Sequence, residues 1–236
     1  MYTFESRIRY SEADNNGRLT MASLLNYFQD VTTFHSESLG FGVKSMKELQ
    51  QAWVLNAWQI VVEEMPEYCD KVTVGTMPYD FKGFFGSRNF FMKAEDGRYL
   101  AKGNSLWTLL DLQNGRPTVP SEDMLNAYAL SPKLDMEYAP RKIALPTQME
   151  DEEPIMVKKH HLDTNNHVNN GQYVNMAMDF LPEGFIVKQL RVEYKKQAFL
   201  GDVIYPSVSY ESNRFVVRLG DAEGSPYAVV EFLEKE

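Results

Sequence analysis

The sequence predicts an α+β protein in which one plan, a helix followed by about four antiparallel strands, is written twice. Three observations predict it. Asp14-Asn15-Asn16-Gly17-Arg18-Leu19-Thr20 lines up with Asp163-Thr164-Asn165-Asn166-His167-Val168-Asn169 at an offset of 149 residues, and Asn26 then matches Asn175 in the same register. Each copy of that motif runs into apolar residues at helical spacing. After each helix the pattern changes to period two, as half-buried strands require.

In the first copy Thr20 is a good N-cap, and Met21, Leu24, Leu25, Phe28, Val31 and His35 follow at helical spacing until Leu39-Gly40 ends the run. Trp53-Val54-Leu55-Asn56-Ala57-Trp58-Gln59-Ile60 opens the strand series, and further alternating runs lie near 71–80, 84–94 and 99–111. In the second copy Asn169 caps a helix whose stripe is Tyr173, Val174, Ala177 and Phe180, stopped by Pro182. Strands are expected near 186–197, 202–211, 214–219 and 226–233. Cys69-Asp70-Lys71-Val72 echoes Gly201-Asp202-Val203-Ile204 at an offset of 132, so the first copy carries the longer strands or loops. Each sheet can bury one face on its own helix.

These patterns divide the chain into an N-terminal domain over 1–130, a linker over 131–155 and a C-terminal domain over 156–236. The linker holds Pro132, Pro140, Pro146 and Pro154 and the acidic run Glu150-Asp151-Glu152-Glu153. Proline excludes regular helix and central strand there, and charge keeps the stretch solvated. An ordered loop crossing the surface reads equally well.

Of 236 residues, 24 are Lys or Arg and 33 are Asp or Glu, a formal net charge of −9. That balance argues against general nucleic-acid binding. The apolar fraction of 44% is globular, and no apolar run reaches the roughly 18 residues of a membrane span. A single cysteine, Cys69, excludes an internal disulfide framework and, with no apolar signal segment at the N-terminus, suggests the cytoplasm.

Three of the four histidines fall within eight residues, His160-His161-Leu162-Asp163-Thr164-Asn165-Asn166-His167. A metal site is one reading. It lacks a paired HxH or HExxH spacing and a second cysteine, so no metal and no cofactor are expected. His160 and His161 read as surface residues at a strand end, and His35 as a satisfied core or interface histidine. Acid-base chemistry is the sharper reading. A carboxylate and an imidazole, Asp163 and His167, can position and deprotonate a water, with the Asn165 amide orienting either. The following helix begins Asn169-Asn170-Gly171, and its free backbone N–H groups at Asn170 and Gly171 suit a developing oxyanion. These parts suit hydrolysis of an acyl ester or thioester. Turn and cap chemistry uses the same residues, and on the residues alone the two readings stand level.

His161-Leu162-Asp163-Thr164-Asn165-Asn166-His167-Val168-Asn169-Asn170-Gly171-Gln172-Tyr173 resembles the signature of acyl-acyl carrier protein (acyl-ACP) thioesterases, Asp-x-Asn-x-His-Val-Asn-Asn followed by Tyr. Val192-Glu193-Tyr194-Lys195-Lys196 resembles the family's downstream strand, and Arg7–Leu19 with Asn26-Tyr27 its opening. The resemblance implies a double hot-dog fold, two helix-and-sheet units forming a pseudo-dimer, either monomeric or paired further as a homodimer. It implies hydrolysis of fatty acyl-ACP by Asp163, Asn165 and His167, with acyl carrier protein as partner. Where plant members carry Glu-Cys, this chain has Gln197-Ala198, so no thiol nucleophile stands there. Gln197 can orient a group, and Glu193, four residues away on the expected shared strand face, is a candidate helper. Water activation by Asp163 and His167 is the expected mechanism; direct attack by Asp163 through an anhydride stays open.

In the first copy Arg18 stands in place of His167, which predicts a silent site. By the resemblance that half supplies the acyl-chain tunnel, with Met21, Leu25, Phe28, Trp53 and Trp58 as candidate walls. Two rival readings remain. Tyr10-Ser11-Glu12-Ala13-Asp14-Asn15-Asn16-Gly17 also resembles the opening of hot-dog acyl-coenzyme A thioesterases, in which Asp14 would be catalytic. The other rival is a non-catalytic acyl-binding protein. An acidic carrier protein would need basic side chains; Arg141, Lys142, Lys158, Lys159, Lys195 and Lys196 are available, with Lys158-Lys159 nearest the motif.

Overall fold

The computed structural model describes residues 1–235. The chain forms two compact units, Met1–Asn56 with Ile60–Tyr138, and Ala57–Gln59 with Ala139–Glu236.

In the first unit the elements are β1 (Tyr2–Arg7), α1 (Met21–Ser38), α2 (Val43–Glu48), β2 (Gln51–Val62), β3 (Lys71–Lys82), β4 (Phe85–Ala94), β5 (Tyr99–Asp111), β6 (Arg116–Pro117) and α3 (Glu122–Ala127). The sheet order is β1-β3-β4-β5-β2, with β6 on the edge of β5. Helix α1 starts where Thr20 Oγ1 accepts the Ser23 N–H at 3.2 Å. It stops at Gly40, whose φ of +80° lets the Phe41 N–H turn back to the Ser36 carbonyl at 2.9 Å. Its apolar stripe is the core, with Leu24, Phe28 and Val31 fully buried. Phe28 stacks on Phe90 of β4, ring centroids 5.3 Å apart. Gly103 of β5 makes room for that contact, since a Cβ there would lie 3.1 Å from Phe28 and 3.2 Å from Phe90.

The second unit repeats the plan with α4 (Asn170–Met178), β9 (Val187–Tyr194), β10 (Val203–Glu211), β11 (Arg214–Gly220) and β12 (Pro226–Glu234), preceded by the short strands β7 (Glu150–Asp151) and β8 (Ile155–Met156). Its order is β9-β12-β11-β10-β7, with β8 also on β10. Helix α4 packs on β11 and β12. Tyr173, Val174, Met176 and Ala177 are buried beside Leu190, Val192, Val217, Ala228, Val230 and Phe232.

All eight expected long strands and both expected helices are present at nearly the expected bounds. Three six-residue elements, β1, α2 and α3, fall outside those expectations; β1 pairs along its whole length with β3. Residues 131–155 are ordered. Leu134 N–H and Tyr138 Oη donate to Asn89 Oδ1 in the first unit (3.1 and 2.9 Å). In the second, Ile143 is buried with Val216 and Val229, and the acidic run supplies the edge strand β7. The prolines are accommodated because this stretch takes its bonds from side chains and sheet edges, not from a continuous ladder.

Candidate active site

The second copy of the repeat folds as a tight hairpin. The Asp163 N–H donates to the His167 carbonyl (2.8 Å), and Asn166 closes the turn with a φ of +61°. Asp163 Oδ1 accepts the backbone N–H groups of Asn165 (2.7 Å) and His167 (3.3 Å). Asn169 then caps α4, its Oδ1 accepting the Gly171 N–H at 2.8 Å. Asp163, Asn165 and His167 are therefore brought together in one loop at the N-terminus of α4. Asp163 and His167 are half-buried and Asn165 is exposed.

The segment after β9 completes the surroundings. Val168 N–H donates to the Ala198 carbonyl (2.9 Å), and the Ala198 N–H donates to Tyr173 Oη (3.0 Å). His167 forms a backbone bridge with Phe199 and meets its ring edge-on at 5.0 Å. Tyr194 Oη donates to the Asn170 carbonyl at 3.0 Å. Burial pushes the Tyr173 phenol up to about 12 and raises that of Tyr194, so both stay protonated as neutral hydrogen-bonding groups.

Three expected features fall differently. The Gly171 N–H is engaged by the Asn169 cap, leaving Asn170 as the first helical residue ahead of it. Strand β9 ends at Tyr194, so Gln197 lies exposed in the following bend and shares no strand face with Glu193. Gln197 stays beside the hairpin because the next residue, Ala198, is bonded to both Val168 and Tyr173. Glu193 is buried on the face of β9 opposite Tyr194, accepting from Ile143 N–H at 3.3 Å and paired with Lys195. His160 and His161 belong to a 3-10 turn, Lys159–His161, and not to a strand end. His161 Nδ1 accepts the Lys158 N–H at 3.1 Å, and burial, with His160 and Lys158 adding to it, lowers the His161 pKa. His35 is buried against Arg88, as a satisfied histidine should be. Among the described residues no three His, Cys, Asp or Glu side chains gather to hold a metal ion.

The first copy folds bond for bond like the second. Asp14 Oδ1 accepts from Asn16 N–H (2.8 Å) and Arg18 N–H (2.9 Å), Asp14 N–H donates to the Arg18 carbonyl (2.7 Å), and Gly17 takes the positive φ. Leu19 N–H donates to the Pro66 carbonyl as Val168 does to Ala198. Two differences matter. Arg18 replaces His167, and Pro66, which has no N–H, replaces Ala198 and its bond to a buried tyrosine.

A family model for the acyl-ACP thioesterase N-terminal domain matches residues 1–128, and one for the C-terminal domain matches residues 145–224. The acyl-[acyl-carrier-protein] hydrolase FATB1 of Cuphea viscosissima is 24% identical over 215 residues, 84% of this chain and 51% of that protein. Oleoyl-acyl carrier protein thioesterase 1 of Arabidopsis thaliana is 22% identical over 219 residues, 84% of this chain and 60% of that one. The chain thus spans about half to three-fifths of the length of these curated relatives. Among solved structures, an acyl-ACP thioesterase from Bacteroides thetaiotaomicron superposes with a TM-score of 0.90 at 23% identity, covering 99% of this chain and 97% of that one. The 12:0-ACP thioesterase from Umbellularia californica gives 0.86 at 20% identity, covering 99% and 96%. Both share the hot-dog fold of the two units.

Proposed function

Because the chain belongs to the acyl-ACP thioesterase family, we propose that it hydrolyses fatty acyl thioesters of acyl carrier protein to a free fatty acid and the carrier's thiol. The observation that carries this reading is the hairpin at Asp163. It presents a carboxylate, an amide and an imidazole beside the positive end of α4, in the one copy where the residue at that position, a neutral imidazole in place of the Arg18 guanidinium, can accept a proton. A water oxygen adds to the thioester carbonyl carbon while its proton passes to the Asp163–His167 pair, and Asn165 orients the water. The Asn170 N–H at the α4 terminus holds the negative oxygen, with Gly171 contributing only when its cap opens. The carbon–sulfur bond then breaks, and the sulfur leaves as thiol by taking the proton back. Gln197, beside the hairpin, helps orient the water. Glu193 acts on the far face of the sheet and takes no part.

In this reading residues 1–130 hold the acyl chain and residues 156–236 the chemistry, joined through 131–155. Lys158 and Lys159 dock the carrier. Both are exposed and, among the described residues, neither joins an ion pair, whereas Lys195 pairs with Glu193 and Lys196 with Asp221. The single exposed Cys69 suits a reducing compartment such as the cytoplasm.

Thiol release from matched acyl-ACP and acyl-coenzyme A substrates tests the proposal. Turnover of the carrier substrate abolished by Asp163→Asn and spared by Asp14→Asn is the expected result. The identical hairpin at Asp14 keeps one second reading in view. Loss through Asp14→Asn, with coenzyme A preferred, would move the site to the first copy. No turnover of either substrate would favour an acyl-binding protein. Charge reversal at Lys158 and Lys159 should raise KM for acyl-ACP more than for acyl-coenzyme A; equal effects would remove them from the docking surface.

A further inference from the structure

The face of the second sheet turned away from α4 is built for more than cover. Strand register sets Glu193, Val229, Arg218 and Ser207 side by side in one row, and Arg191, Glu231 and Val216 in the next. Residues 139–149 lie across this face as a strap. Arg191 donates to the carbonyls of Pro140 and Lys142, Arg214 to that of Ala144 at 2.6 Å, and Glu193 accepts the Ile143 N–H. Glu231 holds both arginines, at 2.7 Å from Arg191 Nη1 and 2.5 Å from Arg214 Nε. These anchors use the strap's backbone and the Ile143 side chain. They do not use the side chains of Lys142 and Leu145.

Between the strap and the adjoining ends of β9 and β12 is a cavity of about 490 Å³, within the range of roughly 300–1,000 Å³ usual for small-ligand sites. Its floor is apolar, with Val229 and Ile143 buried and Pro226 beside them, while Leu145 is 43% exposed at its edge. Its charge is positive. Lys142 and Lys195 line it, and Arg141 lies 3.8 Å from Glu193, the one carboxylate in the lining. That carboxylate is already paired with Lys195 and bonded to Ile143. In the same row, Arg218 Nε and Ser207 Oγ are buried with no hydrogen-bond partner among the described residues. Arg218 is directly opposite Val229 of the cavity floor.

An apolar floor with one surplus cation, Lys142, at the mouth fits an amphipathic anion. We propose that this cavity binds a medium-chain carboxylate, its alkyl chain on Val229, Ile143, Pro226 and Leu145 and its carboxylate at Lys142. The cavity chemistry stands by itself; only the step of equating the ligand with the enzyme's own product rests on the proposed hydrolysis. The site lies on the sheet face opposite α4, and so gives the product a second place to bind.

Methyl NMR on Ile-, Leu- and Val-labelled full-length protein tests this, with decanoate as the probe, decanol as the uncharged arm and inorganic phosphate as the arm without a chain. Decanoate should shift the Ile143, Leu145 and Val229 methyls saturably, decanol should bind about tenfold more weakly, and phosphate should leave those methyls unmoved. Lys142→Glu should weaken decanoate about tenfold, because one attraction becomes a repulsion. The Asp163→Asn variant should give the wild-type shifts, so a failure of the hydrolytic reading is scored separately from a failure here. Silent cavity methyls, unchanged affinity in Lys142→Glu, or shifts confined to Leu162 and Val168 at the hairpin would each overturn the proposal.

Discussion

The carboxylate of Asp163 meets His167 at its backbone N–H, 3.3 Å away, and the same oxygen holds Asn165 N–H at 2.7 Å. The residue proposed for the chemistry is thus also the residue that closes the loop. Asparagine keeps an acceptor oxygen in that position and removes only the charge, whereas alanine removes both bonds. Asp163→Asn should lose turnover with its unfolding midpoint almost unchanged. Asp163→Ala should lose turnover and also about 1–3 kcal/mol of stability. Thermal unfolding measured beside thiol release separates the two effects, and a large loss of stability in the asparagine variant would contradict the loop geometry.

Tyr194 and Tyr173 fasten the start of α4 and the segment around Ala198. Removing the Tyr173 hydroxyl strands the buried Ala198 N–H, at about 1–3 kcal/mol, and removing that of Tyr194 takes one bond from the half-buried Asn170 carbonyl, at about 1 kcal/mol. Tyr194→Phe should lower kcat more than it raises KM, because Asn170 carries the proposed oxyanion contact. Tyr173→Phe should do the same through the loosened Ala198–Val168 pairing. An unchanged kcat in both would detach these residues from the chemistry.

His35 and Arg88 give the first unit a pH dependence. Arg88 Nη1 lies 3.0 Å from His35 Nδ1, with the guanidinium also over the Tyr128 ring at 5.4 Å. Burial first, then the Arg88 and N-terminal charges, push the imidazole down to about 4 from its usual 6.5. Between pH 6.5 and 4 the unfolded chain therefore binds a proton that the native chain refuses. Stability from this group is full above pH 6.5, declines as pH falls to about 4 and is constant below. Tm of His35→Gln, which keeps an acceptor for Arg88 without titrating, should fall less steeply than wild type over that window. Parallel slopes would rule the histidine out as their source.

Gly103 has a packing requirement with a definite cost. A methyl group there would press on Phe28 and Phe90, so Gly103→Ala should lose about 1–3 kcal/mol in urea unfolding. Phe28→Leu in the same chain should recover part of it by vacating the space. Additive losses in the double variant would show that the crowding lies elsewhere.

The repeat was legible because each level of its code is local. Thr20 and Asn169 cap helices through their own side chains, period two marks strands wherever one face is buried, and Asp14 and Asp163 each need only the two N–H groups within four residues to set the turn. The loop that gathers Asp163, Asn165 and His167 is legible for the same reason, since one hairpin holds all three. What lies beyond depends on partners distant in sequence. Tyr2–Arg7 becomes a strand because β3 is there to pair with it.

Glu193 shows the limit most clearly. Alternation along a strand fixes that residues 193 and 197 face alike only while the strand continues, and the end of β9 at Tyr194 follows from where its partner β12 and the Tyr173–Ala198 bond release it. The sequence by itself determined the doubled helix-and-sheet plan and the loop of Asp163, Asn165 and His167, because hydrogen bonds and burial patterns within a few residues specify them. Only the tertiary structure decided that β9 ends before Gln197, that Glu193 meets Ile143 on the far face, and that a strap closes a charged cavity there. Those outcomes are contacts between segments tens of residues apart, and no local pattern encodes them.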